Sequence, residues 1–157
     1  MEKIPMTPAG YERLSAELKQ LKDIERPAVI RAIAEAREHG DLSENAEYHA
    51  AREKQSFIEG RVLELEDKVS RAEVIDASKM TGKTIRFGAT ITLADEDTDE
   101  ESTYRIVGAD ESDINSGLLS VAAPLARALI GKEPGDSVEV TTPGGSKSYE
   151  VMKVQYK

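Results

Sequence analysis

Apolar positions follow two regimes along the chain. From Tyr11 the series Tyr11, Leu14, Leu18, Leu21 advances in alternating steps of three and four, and Ile24, Ala28 and Ile33 carry it onward. A second series, Ala51, Ile58, Val62, Leu65, Val69 and Ala72, advances in steps of three, four or seven. Both are narrow stripes on otherwise heavily charged helices, which is the pattern of a coiled-coil seam. The first helix is predicted to start near Thr7-Pro8, with Thr as N-cap and Pro at the first helical position. Pro27 sits inside the pattern and must kink or locally break the helix, because it removes a backbone hydrogen bond and crowds the preceding turn. Gly40 interrupts the first helix, and the second is predicted from about Glu44 to Ile75, with Ser43 as its N-cap. Folding the chain at Asp41-Leu42 sets Leu14 near Val69, Leu18 near Leu65 and Leu21 near Val62. The matched arms predict an antiparallel hairpin, each arm of ~30 residues being ~45 Å long at 1.5 Å per residue.

After Asp76 the period changes. Residues 77–83, ASKMTGK, read as a linker. Strand patterns follow at 84–87, 90–93, 103–107, 118–121, 137–141 and 148–154, with Pro143-Gly144-Gly145 as a hairpin turn between the last two. One short helix is predicted from Pro124 through Leu125 to Ile130, with Gly131 as its C-cap. The fold class is therefore α+β: a helical hairpin over residues 1–76, the linker, and a β domain with a short helix over 84–157. The acidic run Asp95-Glu96-Asp97-Thr98-Asp99-Glu100-Glu101 falls between two strands and reads as a solvated loop.

Charge and composition narrow the function. With 30 acidic and 21 basic residues the formal net charge is −9, which argues against autonomous DNA or RNA binding but not against contact with nucleic acid inside a larger complex. The chain has no cysteine, so it carries no disulfide framework and no Cys-based metal or redox site, which fits a reducing cytoplasm. The N-terminus has no apolar signal-peptide core, and no apolar run approaches the ~18 residues of a membrane span. There are two Phe, five Tyr and no Trp, too few for a deep aromatic-lined pocket. No membrane partner is expected, and a monomer is.

The chemistry gathers at the expected reversal, Arg37-Glu38-His39-Gly40-Asp41-Leu42-Ser43-Glu44-Asn45-Ala46-Glu47-Tyr48-His49. Acids near a helix start are favoured by the helix dipole, and Asp suits a turn, so Asp41 and Glu44 have a purely local explanation. Their place at the far end of a hairpin gives them a second one. Magnesium takes oxygen ligands and keeps several waters, so one or two carboxylates can complete a site whose remaining ligands come from elsewhere. They form an acidic finger able to donate ligands in trans. His39 and His49 lack the further ligands that a zinc site needs. Tyr48 reads as packing at the apex. Arg31, Arg37, Arg52 and Lys54 lie along the distal half of the hairpin, where they pair with neighbouring Glu or steady a phosphate backbone. No Gly-rich phosphate loop, nucleophile elbow or zinc spacing is present.

The stretch from Glu35 to Glu53, EAREHGDLSENAEYHAARE, resembles the tip region of the bacterial transcript cleavage factors of the Gre family. The stretch from Pro124 to Lys132, PLARALIGK, resembles the short helix of that family's C-terminal domain, and the similarity extends over essentially the whole chain. The sequence HAAREKQ after the tip, and the lack of a strongly basic hairpin face, match the less basic of the family's two branches. A related class that inhibits polymerase has a more Asp-rich tip, which this sequence lacks. The resemblance implies a coiled-coil N-terminal domain and an FKBP-like C-terminal domain that docks on DNA-directed RNA polymerase, while the hairpin enters the polymerase's secondary channel. It implies that Asp41 and Glu44 help hold the second magnesium of the polymerase active site and orient the attacking water. The polymerase itself then hydrolyses the extruded 3′ end of a backtracked nascent RNA. The factor is then not an enzyme and needs no cofactor of its own. Leu42, Ser43, Asn45, Glu47 and Tyr48 support the tip, and Arg37, Arg52 and Lys54 contact RNA or polymerase. Ile114, Ser120, Pro124 and Leu125 are the expected docking residues.

Two other classes fit parts of the chain. A coiled-coil adaptor would bind partners through its charged faces and would not need Asp41 or Glu44. A peptidyl-prolyl isomerase would need a proline pocket, and Phe87, Tyr104, Tyr149 and Tyr156 are scattered along strands.

Overall fold

A computed structural model describes residues 2–157. The described chain divides into two compact units, one of residues 2 and 11–72, the other of residues 3–10 and 73–157.

The first unit is the helical hairpin. Its first arm is α1 (Pro8–Gln20), a five-residue π-helical turn (Leu21–Glu25) and α2 (Arg26–Arg37); its second is α3 (Ala46–Ser70). The π turn answers the question raised by Pro27. A proline there has no N–H to donate, and its ring would press on the carbonyl four residues back. Widening the preceding turn, so that the Arg26 N–H reaches the Leu21 carbonyl, accommodates the ring without ending the helix. The extra residue also rotates the downstream face. The expected stripe is therefore wrong at Ile24 and Ala28, which are exposed; Ile33 is buried as expected, and Val29 and Ala36 join it.

On the second arm Ile58, Val62 and Leu65 are buried as expected. Leu18, Leu21 and Ala51 pack against the cluster of Val29, Ile58 and Val62. Each fully buried aliphatic side chain contributes about 1.5–3 kcal/mol. Two bidentate ion pairs cross between the arms: Arg61 to Glu17 at 2.7 and 2.9 Å, and Arg26 to Glu59 at 2.8 Å on both branches. They are partly exposed and worth about 0–1 kcal/mol each, so they tune register while the apolar seam supplies the stability.

The second helix begins and ends inside its expected bounds. Asn45, not Ser43, is its N-cap: Asn45 Oδ1 accepts the Tyr48 N–H at 3.0 Å. The same amide donates through Nδ2 to the Ala36 carbonyl at 2.6 Å, at the end of α2. One side chain thus satisfies an orphan donor of one arm and adds a second bond to a last-turn carbonyl of the other, which also accepts the His39 N–H at 3.1 Å. At its C-terminal end α3 stops at Ser70, and β2 (Ala72–Val74) pairs with β1 (Ile4–Met6) in a two-stranded sheet.

In the second unit, β3 (Thr90–Asp95), β4 (Glu101–Val107), β5 (Leu118–Ser120), β6 (Ser137–Thr142) and β7 (Gly145–Gln155) form one sheet in the order β5-β4-β3-β7-β6. All neighbours are antiparallel except β4 and β5, which run parallel. Helix α4 (Pro124–Leu129) buries Ala126 and Leu129 in a core with Ile85, Ile91, Leu93, Ile106 and Val151. The strand expected at 84–87 is absent. Ile85 and Phe87 do point into the core, but the backbone of Ile85 bonds to Lys132 and Gly131, beyond α4, instead of joining the ladder. The expected linker is likewise anchored: it opens with a 3-10 turn (Ala77–Lys79), and Ala77 is buried.

This unit also holds a buried carboxylate. Glu111 accepts from the Thr7 N–H and the Gly108 N–H, each at 3.0 Å, and from the Thr7 hydroxyl. Thr7 Oγ1 in turn accepts the Gly10 N–H at 3.1 Å, the N-cap bond expected of it. Gly10 and Gly108 are required here because a Cβ on either would collide with Glu111.

The double role of Asn45 is testable by thermal unfolding of single variants. Asn45→Asp keeps a capping oxygen but loses the donor to Ala36, whereas Asn45→Ala loses both bonds. The Ala variant should lose about 1–2 kcal/mol and the Asp variant less. Equal stability of Asn45→Ala and wild type would remove Asn45 from this role.

Candidate functional site at the hairpin turn

The turn between α2 and α3 is built by short side-chain-to-backbone bonds. Gly40 takes φ of +109°, a conformation that L side chains rarely adopt, and so starts the reversal. Asp41 Oδ1 then accepts the Ser43 N–H at 3.0 Å and the Ser43 hydroxyl at 2.8 Å, an Asx turn. Ser43 is occupied by Asp41, which is why the cap falls to Asn45. These two bonds, the hydroxyl first, hold the Asp41 carboxyl below its ordinary pKa. Asp41 is fully ionised at neutral pH.

Asp41 and Glu44 are both exposed and line one open concavity with His39, Asn45, Ala46 and Glu47. Leu42 is exposed at the apex. Around the carboxylates the two arms touch through polar and aromatic groups. The Arg37 guanidinium lies 5.9 Å from the centre of the Tyr48 ring. Tyr48 meets His49 edge-on with ring centres 5.6 Å apart. His49 Nε2 donates to the Ser43 carbonyl at 3.2 Å, and His39 faces Glu47 at 3.9 Å. The two histidines therefore serve opposite sides of the turn and share no ligand.

Arg37 and Arg52 line a neighbouring concavity floored by Ile30, Ile33 and Ala34. Lys54 lies across from Glu25 at 3.9 Å, toward the middle of the hairpin. In the second unit Ile114 and Pro124 are exposed, Ser120 is half-buried, and Leu125 packs against the sheet core. Phe87 is buried, and Tyr104, Tyr149 and Tyr156 pack against the same core, so none is free to wall a proline pocket.

A metal fit follows from the donor chemistry. Among the described residues no group of three or more His, Cys, Asp or Glu is placed to hold an ion. Asp41 and Glu44 offer hard oxygen donors suited to magnesium, but only part of its shell.

Sequence reasoning named the residues of the turn but not the link from Asn45 to Ala36. The signal was present, since Asn is as good a cap as Ser, but the choice depended on Asp41 capturing Ser43.

Two families match. The one described as "Transcription elongation factor, N-terminal" covers residues 4–74, and "Transcription elongation factor, GreA/GreB, C-term" covers residues 80–156. The chain is 68% identical over 156 residues to transcription elongation factor GreA of Rhodospirillum rubrum, covering 99% of each protein. It is 64% identical over 157 residues to that of Hyphomonas neptunium, covering 100% of each. Among solved structures, Thermus aquaticus Gfh1 is 30% identical with 99% of each chain covered and a TM-score of 0.44. No helix of the described residues is long and apolar enough to cross a membrane. With both halves matched and full-length relatives at this identity, the chain belongs to the GreA/GreB family of transcription elongation factors.

Proposed function

We propose that this protein enters the secondary channel of RNA polymerase hairpin first and stimulates the polymerase's own cleavage of backtracked RNA 3′ ends. The observation that carries this reading is the pair of exposed carboxylates, Asp41 and Glu44, on one concavity of the turn between α2 and α3. Asp41 is pre-set: one oxygen is committed to Ser43, which fixes the direction of the other. Among the described residues Glu44 has no side-chain partner, so it can adjust to what it meets.

The ligands lie on both sides of this contact. Asp41 and Glu44 add oxygen ligands to the second magnesium of the polymerase, whose role when bound is to stabilise the entering and leaving oxygens of phosphodiester hydrolysis. In this reading Glu44 also helps to orient the attacking water and would accept its proton. Arg37 and Arg52, one from each arm, steady the phosphates of the extruded RNA, and Lys54 adds charge further along. The second unit docks on the polymerase exterior near Ile114, Ser120, Pro124 and Leu125. The factor acts in the cytoplasm as a monomer and is not itself a catalyst.

Separating binding from activity tests this. Asp41→Asn and Glu44→Gln alter exposed groups and should change stability by less than about 0.5 kcal/mol. Even an outer partner of a metal ligand is worth roughly 10- to 100-fold, so loss of a ligand charge should lower cleavage stimulation by at least about 100-fold. With end-labelled RNA in a stalled, backtracked complex, polymerase binding should persist while cleavage falls. Wild-type cleavage by the double variant would sink the proposal and favour an adaptor.

Magnesium titration of the free protein gives an independent check. Two carboxylates without a closed cage should bind the ion only weakly, and the free protein should not cleave RNA. Micromolar magnesium affinity in calorimetry would contradict a site completed in trans.

A further inference from the structure

The second unit carries a concentration of unpaired positive charge that the hairpin turn does not use. Residues 77–86 and 151–157 contain no acidic residue and five cations, Lys79, Lys83, Arg86, Lys153 and Lys157, in a chain of net charge −9. All five are exposed, and none forms an ion pair among the described residues. On the hairpin Arg26, Arg61, Lys54, Lys68 and Arg71 each face a carboxylate, while Arg13, Lys19, Lys22, Arg31, Arg37 and Arg52 form no ion pair among the described residues.

The two basic segments meet. Residues 80–83 and 154–157 line one shallow, open concavity of about 420 Å³. Lys83 and Lys157 lie on its walls. Beside it Arg86 is held from two sides: its guanidinium carbon sits 5.3 Å from the centre of the Tyr156 ring, and the group donates to the Thr81 carbonyl at 2.6 Å. The Tyr156 hydroxyl accepts the Arg86 N–H at 2.9 Å and donates to the Thr84 carbonyl at 2.5 Å. Two carboxylates keep their charge nearby: Asp76, which accepts from Ser78 and also feels Lys79, and Glu133, which accepts from the Thr84 hydroxyl.

We propose that this concavity binds the phosphodiester backbone of single-stranded nucleic acid, Lys83 and Lys157 neutralising phosphates while Arg86 presents a planar cation to a base. Lysine ammonium groups suit phosphates as mobile point charges, and an arginine held over a tyrosine ring brings a planar cation on which a base can stack. An acidic peptide would use the charge but not the plane. The net charge of −9 opposes free association, so binding is weak and salt-sensitive and gains weight where nucleic acid is already held close. The site does not depend on the role given to Asp41 and Glu44.

The test is an amide chemical-shift titration of the full-length protein at low ionic strength with short oligouridylate, oligothymidylate and polyglutamate. Shifts at residues 79–86 and 153–157 with either oligonucleotide are expected. Lys83→Gln with Lys157→Gln should weaken binding about ten-fold and flatten the salt slope by about 1.4, at ~0.7 per single-strand phosphate contact. Arg86→Lys should weaken binding with the slope unchanged, and Lys147→Gln should change neither. No shifts, shifts confined to the hairpin, an unaltered slope in the double variant, or equal binding of polyglutamate would each overturn the proposal.

Discussion

One side chain bonds to both arms of the hairpin where they meet. Asn45 caps α3 through its oxygen and closes the end of α2 through its nitrogen. The seam of Val29, Ile58 and Val62 supplies more energy, but burial has no direction and tolerates sliding by a heptad. The amide fixes the place where the chain turns. That in turn sets which residues form the turn, and so brings Asp41 and Glu44 to one concavity. Arg61 with Glu17 and Arg26 with Glu59 hold the same register further along.

The turn is also electrostatically prepared. Hydrogen bonds from the Ser43 hydroxyl and N–H lower the Asp41 pKa. A lowered carboxyl pKa gives stability that is present above the unfolded value and lost as pH falls through the folded one. At neutral pH the Ser43 bonds and the Asp41 charge are therefore both intact, and their small contribution is lost only in acid, below the usual carboxylate range. An acceptor already ionised and oriented need not reorganise when a cation approaches.

Much of this was legible in the sequence because periodicity reports burial directly. The second stripe through Ile58, Val62 and Leu65, the first as far as Leu21, the N-cap at Thr7, the turn at Pro143-Gly144 and helix α4 follow from local rules. What local rules could not supply was long-range. Pro27 announced a defect, but only packing decides that it is absorbed by an inserted residue, which rotates Val29 inward in place of Ala28. Ile85 and Phe87 alternate like a strand and are buried like one, yet their partner is the chain after α4. No local pattern marks Glu111 as buried, because the Thr7 that bonds to it lies more than a hundred residues away. Of the candidate site, the acids and their neighbours were legible by residue type, and the arrangement that Asn45 enforces was not.

The central claim is that the hairpin works as an arm of fixed length. Removing one heptad from each arm, Leu14 to Gln20 together with Leu65 to Arg71, keeps the seam in phase and leaves the turn untouched while shortening the rod by ~10 Å. A metal ligand acts only within about 0.2 Å of its bonding distance, so the shorter arm cannot compensate. Cleavage of end-labelled RNA in a backtracked complex is the measurement. The account predicts a variant that is helical by circular dichroism and still binds polymerase but does not stimulate cleavage. Full cleavage by the shortened protein would contradict it.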